Sequence, residues 1–246
     1  MRILNIYPVA NQRWYRREFF VMILAHLVKK NLYDPTNFDL SQMIIMDNGL
    51  FEKQQVSIEL QDLIDIARQS KIPVREIIVP DAANDLDRTI ELFEHNLETI
   101  KKYQDKYQFM FVAQATSYGE LHKGIQYINK YTYLPLTVGI SKLTPIDRAH
   151  RLAIRCYEEC NFPIHFLGIK ETFKELEVNQ VYKHIRSCDS SQLAFIAKNN
   201  DALPTNIIDY TRKGIDIDLE KDFVNENLLS QAIYELKKEG TARGIL

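Results

Sequence analysis

The chain has 246 residues, of which 46% are hydrophobic and 26% charged, and its formal net charge is -2. This composition is typical of a globular protein and excludes disordered, collagen-like and disulfide-framework classes. The odd total of 3 cysteines indicates a reducing compartment, and no run reaches the roughly 20 apolar residues of a membrane helix. We therefore expect a soluble, cytoplasmic protein without the excess positive charge of a general nucleic-acid-binding protein.

Short apolar runs alternate with longer helical stretches along the chain. Strands rich in Ile, Val and Phe on both faces are typical of a buried parallel sheet, and strict alternation with helices predicts right-handed βαβ units. Strands are predicted at 3–9, 43–47, 76–81, 109–115, 134–140, 163–169 and 185–191, with helices at about 14–31, 57–70, 85–106, 117–131, 144–160, 171–183 and 192–200.

An eighth strand near 205–208 and a final helix at about 225–239 would complete this pattern, with the polar stretch 209–224 as a long connection. We therefore predict an α/β fold, a (β/α)8 TIM-like barrel whose last unit is irregular, with an open doubly wound sheet as the alternative. The sequence contains no Gly/Ser/Pro-rich linker, which predicts a single barrel domain over 1–246.

Polar residues collect at the carboxyl ends of the predicted strands. Because these ends share one face of a parallel α/β fold, we expect three aspartates to converge there. Convergent carboxylates shift one another's pKa values, which suits one to act as a nucleophile and another to transfer protons. Each aspartate alone is also compatible with a helix cap or a turn. The residues at these ends are Asp47, Asp81, Gln114, Gly139 and Asp189.

In order along the chain, these motifs resemble the tRNA-guanine transglycosylase superfamily, and more closely its smaller branch, the 7-deazaguanine DNA transglycosylases (DpdA type) of phages and bacteria. The resemblance runs from about 43 to 191 and rests on the order of the motifs at successive strand ends. The similar segments are Asp47-Asn48-Gly49-Leu50-Phe51-Glu52, Val79-Pro80-Asp81, Val112-Ala113-Gln114, Val138-Gly139-Ile140 and Arg186-Ser187-Cys188-Asp189-Ser190.

The resemblance implies a base-exchange enzyme that replaces guanine, in DNA above all, with a 7-deazaguanine derivative through a covalent aspartyl-glycosyl intermediate. It implies no cofactor. Asp189 would be the nucleophile, Asp47 the proton-transfer residue, and Asp81 the acceptor for the N1–H and exocyclic amine of the guanine. The other base contacts would come from Gln114, from the backbone at Gly139 and Ile140, from Phe51 by stacking, and from Asn48.

Access to a base in a duplex requires unstacking, so an enzyme of this kind needs phosphate and stacking contacts. Arg13, Arg16 and Arg17 follow the first predicted strand together with Trp14 and Tyr15, a mixture that favours nucleic-acid binding. A solvated helix start with Trp14 packed inward is the alternative. Residues Lys142, Arg148 and Arg186 are expected to follow strand ends and to extend this basic strip.

The cysteines depart from the pattern of the tRNA enzymes, which hold a structural zinc through Cys-x-Cys-x-x-Cys and a later His. Here Cys156 and Cys160 lie in a predicted helix, and Cys188 lies beside the expected nucleophile. We therefore expect no zinc-binding subdomain, which favours DNA over tRNA as the substrate.

Several alternatives remain open. They are a tRNA-guanine transglycosylase, a barrel nucleosidase or glycosidase that uses water, a metal-dependent hydrolase with Asp47, Asp81 and Asp189 as ligands, and a non-catalytic family member that binds nucleic acid. His165, inside an apolar strand, is expected to be a satisfied core residue. The expected partners are DNA or tRNA and a 7-deazaguanine base, with no membrane; a partner protein or a homo-oligomer is left open.

Overall fold

The computed structural model describes residues 5–8, 20–49, 58–169, 172–190, 196–198 and 225–245, with the backbone alone for 5–8, 172–174 and 226. Eight parallel strands form one sheet in the order β1-β8-β7-β6-β5-β4-β3-β2, and β1 and β2 come into contact, so the barrel is nearly closed. The prediction of a TIM-like barrel is confirmed. The strands are β1 (Asn5–Pro8), β2 (Phe20–Leu24), β3 (Met43–Asp47), β4 (Val74–Ile78), β5 (Gln108–Val112), β6 (Leu136–Ser141), β7 (Ile164–Leu167) and β8 (Ser187–Ser190).

In the described part of the chain from β2 onward, helices connect successive strands and pack against the outside of the barrel. Three short 3-10 segments occur at Pro35–Asn37, Asn129–Tyr131 and Val178–Lys183, and residues 196–198 are helical. The α-helices are α1 (Ala25–Lys29), α2 (Leu60–Gln69), α3 (Leu86–His95), α4 (Leu97–Tyr103), α5 (Tyr118–Ile128), α6 (Arg151–Glu158), α7 (Thr172–Glu177) and α8 (Glu226–Ala242). None of the described helices is long and apolar enough to span a membrane.

The helix predicted over 14–31 was wrong for residues 20–24, which form β2. Residues 21–24 are all buried, and an apolar run without polar interruptions has no period that separates a buried strand from a buried helix. A strand that was not predicted therefore comes second in the chain. The strand predicted at 205–208 and the connection predicted at 209–224 lie outside the described residues.

The interior of the barrel has two chemically different sides. Side chains from β2 to β5 form an apolar cluster of Met22, Ile45, Ile78, Met110 and Val112. At register positions that face the same interior, β6, β7 and β8 carry polar residues instead. These are Thr137, His165 and Ser187, each with no exposed surface. The polar side of the barrel interior therefore lies beneath the carboxyl end of β8.

Candidate functional site

Asp189 lies on β8 with its two carboxylate oxygens in different surroundings. Oδ1 accepts hydrogen bonds from the Gly168 backbone N–H at 2.8 Å and from His165 Nε2 at 3.1 Å. Oδ2 accepts none from any residue that the structure describes, and 8% of the side-chain surface is exposed. One oxygen is therefore anchored, and the other can approach a bound molecule.

The anchor from Gly168 depends on a turn that follows β7. Gly168 has a φ of 61°, a left-handed conformation that favours glycine. A Cβ here would also lie 2.5 Å from Lys142 Cδ, so the Lys142 side chain fills the space beside this peptide. Lys142 directly follows β6, as predicted, and its ammonium group lies close to the backbone that holds Asp189.

A buried chain of hydrogen bonds continues below Asp189 into the barrel. The Nδ1 atom of His165 lies 2.7 Å from Ser187 Oγ, and the same oxygen accepts from Arg186 Nε at 3.1 Å. The Arg186 guanidinium also donates to Glu76 Oε2 on β4 at 2.9 Å and to Thr137 Oγ1 at 3.1 Å. This network of hydrogen bonds thus runs from Asp189 near the carboxyl end of β8 to Glu76 in the middle of β4.

The expected position of Arg186 was therefore wrong. Arg186 precedes β8 instead of following a strand end, and its guanidinium is engaged with Glu76 across the amino-terminal end of the barrel. A side chain held in this way lies away from the carboxyl-terminal face. Arg186 therefore belongs to the buried network and not to the basic strip expected for nucleic-acid binding.

A second polar group forms at the ends of β3, β4 and β5. Asn48 Nδ2 donates to Asp81 Oδ1 at 2.7 Å, and Gln114 Nε2 donates to Asp81 Oδ2 at 2.5 Å. All three side chains are buried, and we call them the amide–carboxylate cluster. Burial raises the pKa of Asp81, while the hydrogen bonds from Gln114 and Asn48 act in the opposite direction. Three residues predicted to bind the base are thus brought together.

Asp47 forms a turn at the end of β3. Its Oδ1 accepts from the Gly49 N–H at 2.9 Å, which is the turn geometry that an Asp-Asn-Gly sequence favours. Gly49 has a φ of 77°, and a Cβ on it would lie 2.7 Å from Nδ1 of His26. The buried His26 ring therefore packs against the turn that follows the proposed proton-transfer residue.

Arg148 is a structural residue rather than part of an accessible basic strip. Its five N–H groups have five hydrogen bonds: two to the Glu175 carboxylate and three to backbone carbonyls that end β6 and β7. The guanidinium also lies 4.6 Å from the centre of the Phe166 ring. Arg148 thus fixes the strand ends that carry Lys142 and Gly168.

The backbone at 139 and 140 is already engaged within the protein. The carbonyl of Gly139 accepts from the Ala113 N–H at 2.8 Å, and that of Ile140 accepts from Arg148 at 2.9 Å. A Cβ on Gly139 would lie 2.9 Å from Met110 Sδ, so close packing inside the barrel requires glycine here. These contacts favour a packing role, and we do not carry forward the predicted base contacts of Gly139 and Ile140.

The hydrogen bonds described for the site involve none of the cysteines. Cys188 is fully buried in the core outside the barrel, and burial raises its pKa well above that of an ordinary thiol. Within the described ranges, no group of three His, Cys, Asp or Glu residues has the spacing of a metal site. Four predicted site residues, namely Phe51, Arg13, Arg16 and Arg17, lie outside the described residues.

Sequence reasoning missed two residues that contact Asp189 directly. Gly168 was not singled out, and His165 was assigned to the core because it interrupts an apolar strand. His165 is indeed satisfied by hydrogen bonds, but one of its partners is the predicted nucleophile. The sequence carried no signal for this contact, because the pairing of His165 with Ser187 is set by the register between β7 and β8.

No protein-family model matches the chain, and no curated protein matches it in sequence. Among solved structures, the carboxyl transferase domain of Rhizobium etli pyruvate carboxylase with 3-bromopyruvate has a TM-score of 0.53 and 8% identity, over 96% of this chain and 47% of that chain. The same carboxylase with acetyl coenzyme A has a TM-score of 0.50 and 9% identity, over 96% and 28%.

Proteus mirabilis N-acetylneuraminate lyase is a weaker match, with a TM-score of 0.47 and 11% identity over 80% of this chain and 72% of that chain. The present chain spans less than half the length of the carboxylase chains. At such low identities the likeness concerns the fold alone. The chain therefore shares the TIM-barrel fold with the carboxylase structures.

Proposed function

We propose that the protein is an enzyme that exchanges guanine in nucleic acid, preferentially DNA, for a 7-deazaguanine derivative. The observation that carries this proposal is the asymmetry of Asp189, which keeps Oδ1 anchored by two N–H donors and leaves Oδ2 without a partner among the described residues. A carboxylate that attacks a sugar carbon needs one accessible oxygen, and an anchor on the other oxygen fixes its orientation. The resemblance in the motifs implies that Oδ2 attacks the anomeric carbon of a nucleotide.

The amide–carboxylate cluster supports recognition of guanine. A guanine edge presents two neighbouring donors, N1–H and the exocyclic amine, and a carboxylate accepts such a pair. Burial disfavours the charged form of Asp81, so donors from a bound base would offset that cost in addition to those from Asn48 and Gln114. The Gln114 amide donates to the same carboxylate, and its second N–H would donate to the ring carbonyl of the bound base.

Base exchange in this site is a double displacement. Asp189 Oδ2 attacks the anomeric carbon as its bond to the guanine nitrogen breaks, and Asp47 supplies a proton to the departing base. The incoming 7-deazaguanine then returns a proton to Asp47 and attacks the same carbon, which releases Asp189. The two carboxylates belong to β3 and β8, so each can act on a different part of the nucleotide.

DNA is favoured over tRNA by the motif resemblance to the smaller branch and by the cysteine positions. Cys156 lies on α6, and Cys188 lies in the core, so these thiols do not share one site. Lys142 at the end of β6 supplies positive charge on the Asp189 side of the barrel. This charge suits a phosphate or a sugar oxygen near the reacting carbon.

The proposal is tested by incubating the full chain with guanine-containing DNA, or with tRNA, and a radiolabelled 7-deazaguanine. We expect label in DNA with the wild type and none with Asp189→Ala. The control is Asp105→Ala, because Asp105 is exposed near the amino end of β5, and it should exchange normally. Undiminished exchange by Asp189→Ala would refute the nucleophile assignment.

The same assay separates the other functions. Release of free guanine without incorporation of label would indicate a nucleosidase, and label confined to tRNA would make the substrate assignment wrong. Activity that is lost in a chelator would favour a metal-dependent hydrolase. Binding of DNA without any release or exchange of a base would indicate a non-catalytic protein that binds nucleic acid.

A further inference from the structure

The buried chain beneath Asp189 is more polar than a barrel interior requires. His165 and Ser187 have no exposed surface, and their register positions face the same interior as the apolar cluster on β2 to β5. Buried polar groups are costly unless they are hydrogen-bonded. Both ring nitrogens of His165 have a partner, Ser187 Oγ at 2.7 Å and Asp189 Oδ1 at 3.1 Å.

The directions of these hydrogen bonds follow from the two ends of the network: the Asp189 carboxylate only accepts, so His165 Nε2 donates to Oδ1 and Nδ1 of the neutral imidazole accepts from Ser187. A guanidinium can only donate, so Ser187 Oγ accepts from Arg186 Nε. The Ser187 hydroxyl can then donate to His165 Nδ1, which places the imidazole proton on Nε2 and directs it toward Asp189 Oδ1. This tautomer follows from the hydrogen-bond network. Glu76 holds the opposite end of Arg186.

The geometry points to His165 and Ser187 as positioning residues that control Asp189 during base exchange, an inference that rests on the proposed function. When Oδ2 bonds to the anomeric carbon and guanine departs with the electron pair of the broken bond, Oδ1 becomes the carbonyl oxygen of an ester. In the second displacement the bond from that carbon to Oδ2 breaks, and its electron pair returns to the carboxylate.

The two N–H groups that donate to Oδ1 interact differently with the free Asp189 carboxylate and with its glycosyl ester. Hydrogen bonds to a charged carboxylate are stronger than those to a neutral carbonyl. His165 and Gly168 therefore stabilise Asp189 most when it is free, and they favour its departure in the second displacement. Loss of the His165 donor should make the covalent intermediate persist.

The test uses the full chain with guanine-containing DNA and a labelled 7-deazaguanine, and it measures exchange and the covalently trapped fraction together. For His165→Phe we expect exchange to fall about a hundredfold, the usual cost of losing such a donor, while the trapped fraction rises several-fold. His165→Gln, whose amide can still donate to Oδ1, should recover part of the exchange. Ser187→Ala should also lower exchange and raise the trapped fraction, but each by less than His165→Phe.

A purely structural role would lower exchange and trapping together, and that result would overturn the inference. Unchanged values for both His165→Phe and Ser187→Ala would overturn it as well. If His165→Phe does not fold, the Ser187→Ala result decides. The ¹⁵N resonances of the His165 ring give a readout independent of activity: a proton on Nδ1 instead of Nε2 would contradict the inferred chain. Failure of the proposed function looks different, since the wild type would then form no covalent species at all.

Discussion

The Gly168 peptide N–H and the Asp189 carboxylate are joined by a 2.8 Å hydrogen bond between the end of β7 and β8. The carbonyl of the same Gly168 accepts from Arg148, so the peptide is held on both sides. Its left-handed φ makes this arrangement depend on glycine. The geometry of the proposed nucleophile is thus set by a backbone turn as well as by side chains.

Gly168→Ala tests this turn. We expect a loss of about 1–2 kcal/mol in the free energy of unfolding from backbone strain, together with a fall in exchange because Lys142 and the peptide must shift. Urea denaturation and the exchange assay measure the two effects. Gly244→Ala is the matched control, because Gly244 has a φ of 68° but nothing within 4 Å of an added Cβ. Equal losses of exchange in Gly168→Ala and Gly244→Ala would contradict the assignment of the Gly168 N–H as an anchor of Asp189.

A similar prediction concerns Gly49, in the turn after β3. Gly49→Ala combines a φ of 77° with a Cβ 2.7 Å from His26 Nδ1, and we expect it to destabilise the fold by more than about 1 kcal/mol. Gly119→Ala, in the first turn of α5 where the nearest atom lies at 3.8 Å, should be neutral or stabilising by up to about 1 kcal/mol. Thermal unfolding of both variants measures the difference. Equal melting temperatures would count against the described packing of His26.

The Arg148 clamp should contribute strongly to stability. Arg148→Gln removes the guanidinium donors to the Glu175 carboxylate and to three backbone carbonyls, and breaking a buried pair of this kind costs about 3–5 kcal/mol. Arg88→Gln, which removes an exposed pair with Glu91, should cost less than about 1 kcal/mol. Chemical denaturation of the two variants should therefore separate them clearly. A small effect at Arg148 would show that the clamp is not formed.

Asp81 should give stability a distinct pH dependence. Because burial raises its pKa in the folded state, the folded protein binds more protons than the unfolded chain above the ordinary value of 3.8. This group therefore lowers stability as pH rises from that value to the raised pKa. Asp81→Asn removes the contribution, so the stability of the variant relative to wild type should increase across this window. Urea denaturation over that pH range measures the difference in the free energy of unfolding between Asp81→Asn and the wild type. A difference that does not change with pH would contradict the burial of Asp81.

Much of the barrel could be predicted because its signal is local. Apolar runs bounded by polar residues identified β3 without error and located β4 to β8 to within a few residues. β2 was missed because its run has no polar residue to set a period. Strand-end placement put Asp81 and Gln114 on one face of the sheet, and there the two side chains are hydrogen-bonded to each other; the Asn48 donor to Asp81 was not predicted from the strand ends.

The contacts below the strand ends could not be predicted in the same way. Whether His165 is a core residue or a partner of Asp189 depends on the register between β7 and β8, which no short sequence window contains. Arg186 was misplaced because the strand begins one residue after it. Its partner Glu76 comes from β4, on a distant part of the chain, and only the closed barrel brings the two together.

The most direct test of the central claim is mass spectrometry of the wild-type protein after reaction with guanine-containing DNA in the absence of a second base. We predict a nucleotide adduct on the peptide that contains Asp189, formed with release of guanine and discharged when a 7-deazaguanine is added. Free guanine with no adduct on Asp189, or an adduct on another residue, would contradict the proposed nucleophile.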